Sequence, residues 1–223
     1  MTGYYETTLS AERLKLCYEL APPAVQRYLA AEIDHVRARL IPGGRTLELG
    51  CGYGRVLREL APAGGRLTGI DTSEESLRHA RHYLQGLAGI DLCRMDAAHT
   101  GFAAGSFDLV VCIQNGISAF HVDPHRLCRQ AVRLTRRGGR VLFSSYAPQF
   151  WDARLAWFRL QAEHGLVGPI DDAATGDGRI VCRDGFTATT VSPGEFVTWT
   201  TGLGVRRTIE LIADASLFCE IVV

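Results

Sequence analysis

The chain alternates short apolar runs with segments whose apolar residues recur every three or four positions. Thr46–Leu49, Arg66–Ile70, Ile90–Cys93, Phe107–Ile113 and Arg140–Ser144 are the runs, and their length predicts strands. Phe107–Ile113, apolar throughout save for Asp108, is expected of a strand covered on both faces. Ahead of them, residues 9–21 and 23–40 read as helices broken at Pro22-Pro23. The second carries Val25, Tyr28, Leu29, Ile33, Val36 and Leu40 at helical spacing. Arg55–Leu60 begins another helix. Thr72-Ser73-Glu74-Glu75 has the form of a capping box with Thr72 as N-cap, and the helix it opens is expected to run to about Gly86. Asp123-Pro124 pairs an N-cap with proline at the first helical position, and that helix is expected to end at Gly138-Gly139.

This alternation predicts an α/β domain with a parallel sheet, helices on both faces and right-handed crossovers. After residue 145 the rhythm changes. Gln149–His164 reads as an aromatic-rich helix, and Gly178–Cys182 and Phe186–Val191 as a hairpin turning at Arg183-Asp184-Gly185. Ser192-Pro193-Gly194-Glu195 opens a last helix, closed by Gly202–Gly204. Arg206–Ile212 and Leu217–Val223 then form a terminal antiparallel pair, for about seven sheet strands in all. The expected organisation is one domain over residues 1–223: an N-terminal helical cap (1–42), a ligand-binding core (43–145), a substrate-cap insertion (146–191) and the last helix with the terminal strands (192–223). The helical cap and the insertion together would form a lid.

Composition narrows the partners. Lys plus Arg and Asp plus Glu both number 24, so the formal net charge is zero and nothing electrostatic favours nucleic acid or an anionic membrane surface. No apolar run reaches the roughly 20 residues of a membrane helix, and the start of the chain lacks the basic and apolar regions of a signal peptide. Seven cysteines without a C-x-x-C pair suit free thiols in a reducing cytoplasm and argue against zinc. No matched ligand set for a metal is visible, and the partner state expected is a monomer or a homodimer.

The chemistry concentrates in Arg45-Thr46-Leu47-Glu48-Leu49-Gly50-Cys51-Gly52-Tyr53-Gly54-Arg55. A strand runs into glycines at alternate positions, which permit positive φ and let a ligand lie against bare backbone. The spacing is G-x-G-x-G rather than the dinucleotide G-x-G-x-x-G. Asp71, Asp96 and Gln114 follow the next three strands. With Gly138-Gly139-Arg140-Val141-Leu142 ahead of strand five, this order resembles the class I, Rossmann-like S-adenosylmethionine-dependent methyltransferases of small-molecule type, over residues 45–145.

The resemblance implies S-adenosylmethionine as cofactor and assigns roles. Glu48 orders the glycine turn or approaches the cofactor ammonium, while Gly50, Cys51, Gly52 and Gly54 give the close backbone approach. Asp71 accepts the ribose hydroxyls, Thr72 borders the adenine, and Asp96 with the Ala97 N–H addresses the adenine edge. Gln114 faces the methionyl end. No Asp/Asn-Pro-Pro-Tyr follows strand four, which argues against planar base or amide nitrogens as acceptors. A general base is not required for a thiolate, phenolate or free amine. His121 and Tyr5 are the weak catalytic candidates, and Tyr4 and Tyr5 lie where an N-terminal segment can fold over the site. Tyr146, Phe150, Trp151, Trp157 and Phe158 divide between core and an apolar pocket wall. The expected reaction is in-line methyl transfer to an N, O, S or C nucleophile of a small molecule. The alternatives are an NAD(P)-dependent Rossmann oxidoreductase, disfavoured by the glycine spacing, and a noncatalytic S-adenosylmethionine-binding protein.

Overall fold

The structure is a computed structural model describing residue 4, residues 8–9 and residues 11–223. Its helices are α1 (Ala11–Glu19), α2 (Pro23–Arg37), α3 (Arg55–Leu60), α4 (Glu74–Tyr83), α5 (Pro124–Leu134), α6 (Trp151–Glu163) and α7 (Pro193–Thr200). Its strands are β1 (Arg45–Leu49), β2 (Arg66–Asp71), β3 (Ile90–Arg94), β4 (Phe107–Cys112), β5 (Thr135–Tyr146), β6 (Ile180–Val181), β7 (Thr187–Ala188), β8 (Arg206–Ile212) and β9 (Ser216–Val222). Seven strands make one sheet in the order β3-β2-β1-β4-β5-β9-β8. The first five are parallel, and β9 enters antiparallel between β5 and β8. This is the Rossmann-like sheet with its terminal hairpin. Strand order reverses between β1 and β4, and ligand clefts open at the carboxyl ends of strands beside such a reversal.

The sheet is buried on both faces. Leu47, Val110, Val141 and Phe143 pack with Leu127 and Cys128 of α5 and Phe196 of α7. On the other face, Val111, Leu142 and Phe218 pack with Val36 of α2, Leu57 of α3 and Leu77 of α4. A smaller cluster forms outside the sheet, where Leu9 and Cys17 meet Phe158, Val167, Ile180 and Phe186. Polar contacts fasten this cover. Trp157 Nε1 donates to the Cys17 carbonyl at 2.9 Å, Arg13 donates to the Gly165 carbonyl at 2.6 Å, and the Tyr4 hydroxyl donates to Asp184 at 2.6 Å.

One carboxylate ties four elements together. Glu32 lies on the buried face of α2 with no exposed surface. It accepts from the Gln114 backbone N–H after β4 (2.6 Å), the Ser144 hydroxyl of β5 (2.9 Å) and the Ser216 hydroxyl of β9. Burial raises its carboxyl above the ordinary value, and these hydrogen bonds pull the other way.

Several local expectations are corrected. Ser73, not Thr72, caps α4: its side chain accepts from the Ser76 N–H, and the helix closes at Tyr83 rather than near Gly86. Helix α5 ends at Leu134, and Gly138-Gly139 lies inside β5. There Gly138 N–H donates to the Val223 carbonyl at 2.7 Å, a partner from the far end of the chain. The two cap strands shrink to two residues each, and α1 and α2 are shorter than the periodicity suggests.

Replacing Glu32 with alanine takes the carboxylate acceptor from the Ser144 and Ser216 hydroxyls and leaves the Gln114 amide only the Ser144 oxygen. The expected cost is about 3 kcal/mol or more, read from urea unfolding. A loss under about 1 kcal/mol would show that water replaces the carboxylate freely.

Candidate functional site

A cavity of about 630 Å³ opens where β1, β2, β3 and β4 end, roofed by α1 and by residues of α6 and of the segment around β7. Its floor is the glycine turn. The Gly50 and Cys51 N–H groups both donate to the Ile70 carbonyl, at 2.8 and 2.9 Å, which folds the turn against β2. Gly50 (φ 73°) and Gly52 (φ 52°) adopt the left-handed conformation. A Cβ at Gly50 would stand 2.8 Å from the Phe120 ring. Side chains are therefore excluded twice, by backbone strain and by space.

Asp71 braces this floor. Its carboxylate accepts the Gly52 N–H at 2.9 Å and the Ser73 N–H at 2.9 Å, which joins the turn to the start of α4. Asp96 accepts from the Ala98 N–H at 2.8 Å and meets the His99 ring at 3.1 Å. Gln114 holds a left-handed φ of 57°, pinned through its backbone N–H by Glu32 and by the Ser144 hydroxyl. Its side-chain Nε2 is buried without a partner.

Glu48 and Arg55 stand apart from the rest. Glu48 is buried at the end of β1, and its Oε2 has no hydrogen-bond partner. Burial pushes its carboxyl up to about 8; the Arg55 guanidinium opposes this and the Asp71 charge adds to it. Arg55 opens α3, and its Nε and Nη2 are likewise buried without partners. The guanidinium lies 4.6 Å from the Tyr18 ring centroid. Glu48 and Arg55 feel each other's charge yet form no ion pair.

The cavity wall thus brings together Glu48, Gly50, Cys51, Gly52, Asp71, Thr72, Asp96, Ala97, Gln114 and His121. Gly54 stands behind it, where it starts α3 with φ 86° against Leu84. His121 is exposed at the mouth, and Tyr5 lies outside the described residues. Asn115 is a structural pin: its Nδ2 donates to the Thr189 carbonyl at 2.8 Å and its Oδ1 accepts from the Ser145 hydroxyl at 2.7 Å. Arg55, Tyr18 and Gln161 also line the cavity, and sequence reasoning passes over all three. Only Arg55 carries a signal, its placement just after the glycine turn.

Residues 46–139 match the family model for a methyltransferase domain. The matched stretch takes in the glycine turn, Asp71, Asp96 and Gln114. The domain is 36% identical over 115 residues to a ubiquinone biosynthesis O-methyltransferase of Aromatoleum aromaticum, a match covering 49% of this chain and 47% of that protein. A 37.1 kDa protein in a Streptomyces fradiae transposon is 29% identical over 181 residues, covering 76% of this chain and 50% of that one. The chain spans about half the length of the curated relatives it matches. The fold is shared with a SAM-dependent methyltransferase from Methanosarcina mazei (TM-score 0.62, 20% identity, 84% of this chain and 96% of that one). It is also shared with one from Aquifex aeolicus (TM-score 0.64, 13% identity, 93% and 96%). Among the described residues of the methyltransferase domain and its flanks, no helix is long and apolar enough to cross a membrane.

The raised carboxyl of Glu48 makes the stability of the ligand-free methyltransferase domain depend on pH. In acid, folded and unfolded chains both hold the proton. Between the ordinary glutamate range and about 8, the unfolded chain releases it and the folded chain keeps it. Stability then falls as pH rises, and the loss levels off above about 8. Glu48→Gln removes this slope. The melting temperature of the variant relative to the native chain is expected to climb between pH 5 and pH 8. Parallel curves would mean that Glu48 is already ionised in the folded state.

Proposed function

We propose that the chain is an S-adenosylmethionine-dependent methyltransferase acting on a small molecule. One observation carries the reading: a buried acid and a buried guanidinium, both with unpartnered polar atoms, face one cavity beside bare glycine backbone. An amino acid's ammonium and carboxylate are a complementary pair for Glu48 and Arg55. Each end would satisfy a group that is costly to leave buried alone. A dinucleotide fits less well, because the turn is spaced G-x-G-x-G rather than G-x-G-x-x-G.

Asp71 accepts ribose hydroxyls in this reading, from a position already braced by the Gly52 and Ser73 amides. Thr72, Asp96 and Ala97 border the adenine, and Gln114 offers its unpartnered Nε2 toward the methionyl end. The cofactor supplies a methyl group already activated on a sulfonium. What remains for the protein is to orient the acceptor and exclude water. Helix α1 and α6 serve this by covering the cavity, held by the Trp157–Cys17 and Arg13–Gly165 contacts. In this reading the N-terminal helices and the 146–191 insertion are the lid of a single domain. His121 is the residue at the mouth able to take a proton from an acceptor that arrives protonated.

Titration calorimetry with S-adenosylhomocysteine is expected to show binding to the native chain at a single site. Glu48→Gln and Arg55→Ala should each weaken it by about tenfold or more. Uptake of NADH with no heat from S-adenosylhomocysteine would overturn the reading. Unchanged affinity in both variants would remove these two residues from it.

A further inference from the structure

The sheet ends on an open edge. β8 is its last strand, and among the described residues no strand pairs with its outer side. Its seven residues, Arg206-Arg207-Thr208-Ile209-Glu210-Leu211-Ile212, pair with β9 without a bulge and include no proline or glycine. Such an edge leaves a row of backbone N–H and C=O groups for another strand to meet, and proline and bulges are common guards against that. Leu211 is 46% exposed, the most of any large apolar residue described.

The charges on this edge are incompletely matched within the chain. Arg206, Thr208 and Glu210 alternate along β8 and so share a face. On that face they border a groove of about 730 Å³, together with Arg39, Arg140, Arg207, Glu220 and Val222. Four guanidiniums thus meet two carboxylates. Glu220 takes Arg39 at 2.5 Å and also Arg140, while Glu210 has only Arg39 at 3.6 Å. Arg206 and Arg207 pair with no carboxylate among the described residues, so the groove is one acid or more short of balance.

We infer that the chain forms a homodimer in which β8 pairs antiparallel with β8 of a second copy, about a two-fold axis at Thr208. Residues directly opposite in such a pair share a face. With Thr208 opposite its own copy, Arg206 stands opposite the partner's Glu210, and the symmetry makes this contact twice. A parallel pair would set arginine on arginine. The contact is isologous and consumes the edge of both copies, so assembly closes at two. The other sheet edge, β3, cannot substitute: its Asp91 and Arg94 lie on opposite faces of the strand and find no match in a two-fold pair. The inference stands apart from the methyl-transfer reading, since β8 contributes no residue to the cofactor cavity.

The test is sedimentation of the native chain over a dilution series, and then of charge-exchanged variants. At about 100 μM the native mass is expected to approach twice the 24.4 kDa of one chain. Arg206→Glu sets acid against acid, and Glu210→Arg sets base against base. Each should weaken dimerisation about tenfold or more. The double variant R206E/E210R restores the pairs with their signs exchanged and should dimerise again. Mixing the two single variants should yield a mixed dimer, because each acid then faces a base. A native far-UV spectrum certifies the fold of every variant. A monomer at all concentrations overturns the inference. So does a dimer indifferent to both single changes, a double variant that stays monomeric, or single variants that fail to combine when mixed.

Discussion

The buried carboxylate of Glu32 is the constraint on which the site depends. A parallel sheet leaves the chain free to depart in any direction when a strand ends. After β4 the departure is set by a hydrogen bond from the Gln114 amide to a helix that precedes the sheet in sequence. The same carboxylate holds Ser144 and Ser216 on β5 and β9, so three strand segments share one reference point. This permits Gln114 and Asn115 to sit consecutively in the left-handed region, a conformation costly for residues with side chains. Their side chains then part. The Asn115 amide goes to the scaffold and the Gln114 amide to the cavity.

The division of labour across the cavity follows from how its walls are made. The floor is built from strand ends and tight turns, where backbone amides are abundant and carboxylates such as Asp71 have partners at hand. The roof is built from helix faces and a two-strand cap, where side chains meet side chains and aromatic rings fill the space. Carboxylates line the first, whereas the second keeps its buried charge behind rings. Arg154 shows the alternative the roof takes when it does hold a cation. That residue is fully buried, donates to the Gly178 carbonyl at 2.8 Å and lies 4.7 Å from the Tyr146 ring centroid.

The floor was legible in the sequence because its signals are local. A strand, an acid and spaced glycines lie within one short stretch, and Asp71 and Asp96 mark the next two strand ends. The capping residue of α4 was misplaced by one position because Asp71 takes the Ser73 amide and shifts the helix start forward. The extension of β5 escaped notice because the pairing that makes Gly138 part of a strand comes from Val223. Tyr18, Gln161 and the Glu32 network escaped for the same reason. Each acquires its meaning from elements far away in the chain, and periodicity alone reads all three as ordinary helix positions. Glu32 falls at helical spacing between Leu29 and Val36, a hint that an acid was being placed inward.

Tyr18 has a face on each side of the divide. Arg55 lies over its ring at 4.6 Å, and Trp157 packs against it at 5.9 Å. A guanidinium drawn off toward an incoming anion takes a cation away from the ring that borders the aromatic room. Tyr18 thus links the guanidinium beside the glycine turn to the aromatic rings of the roof.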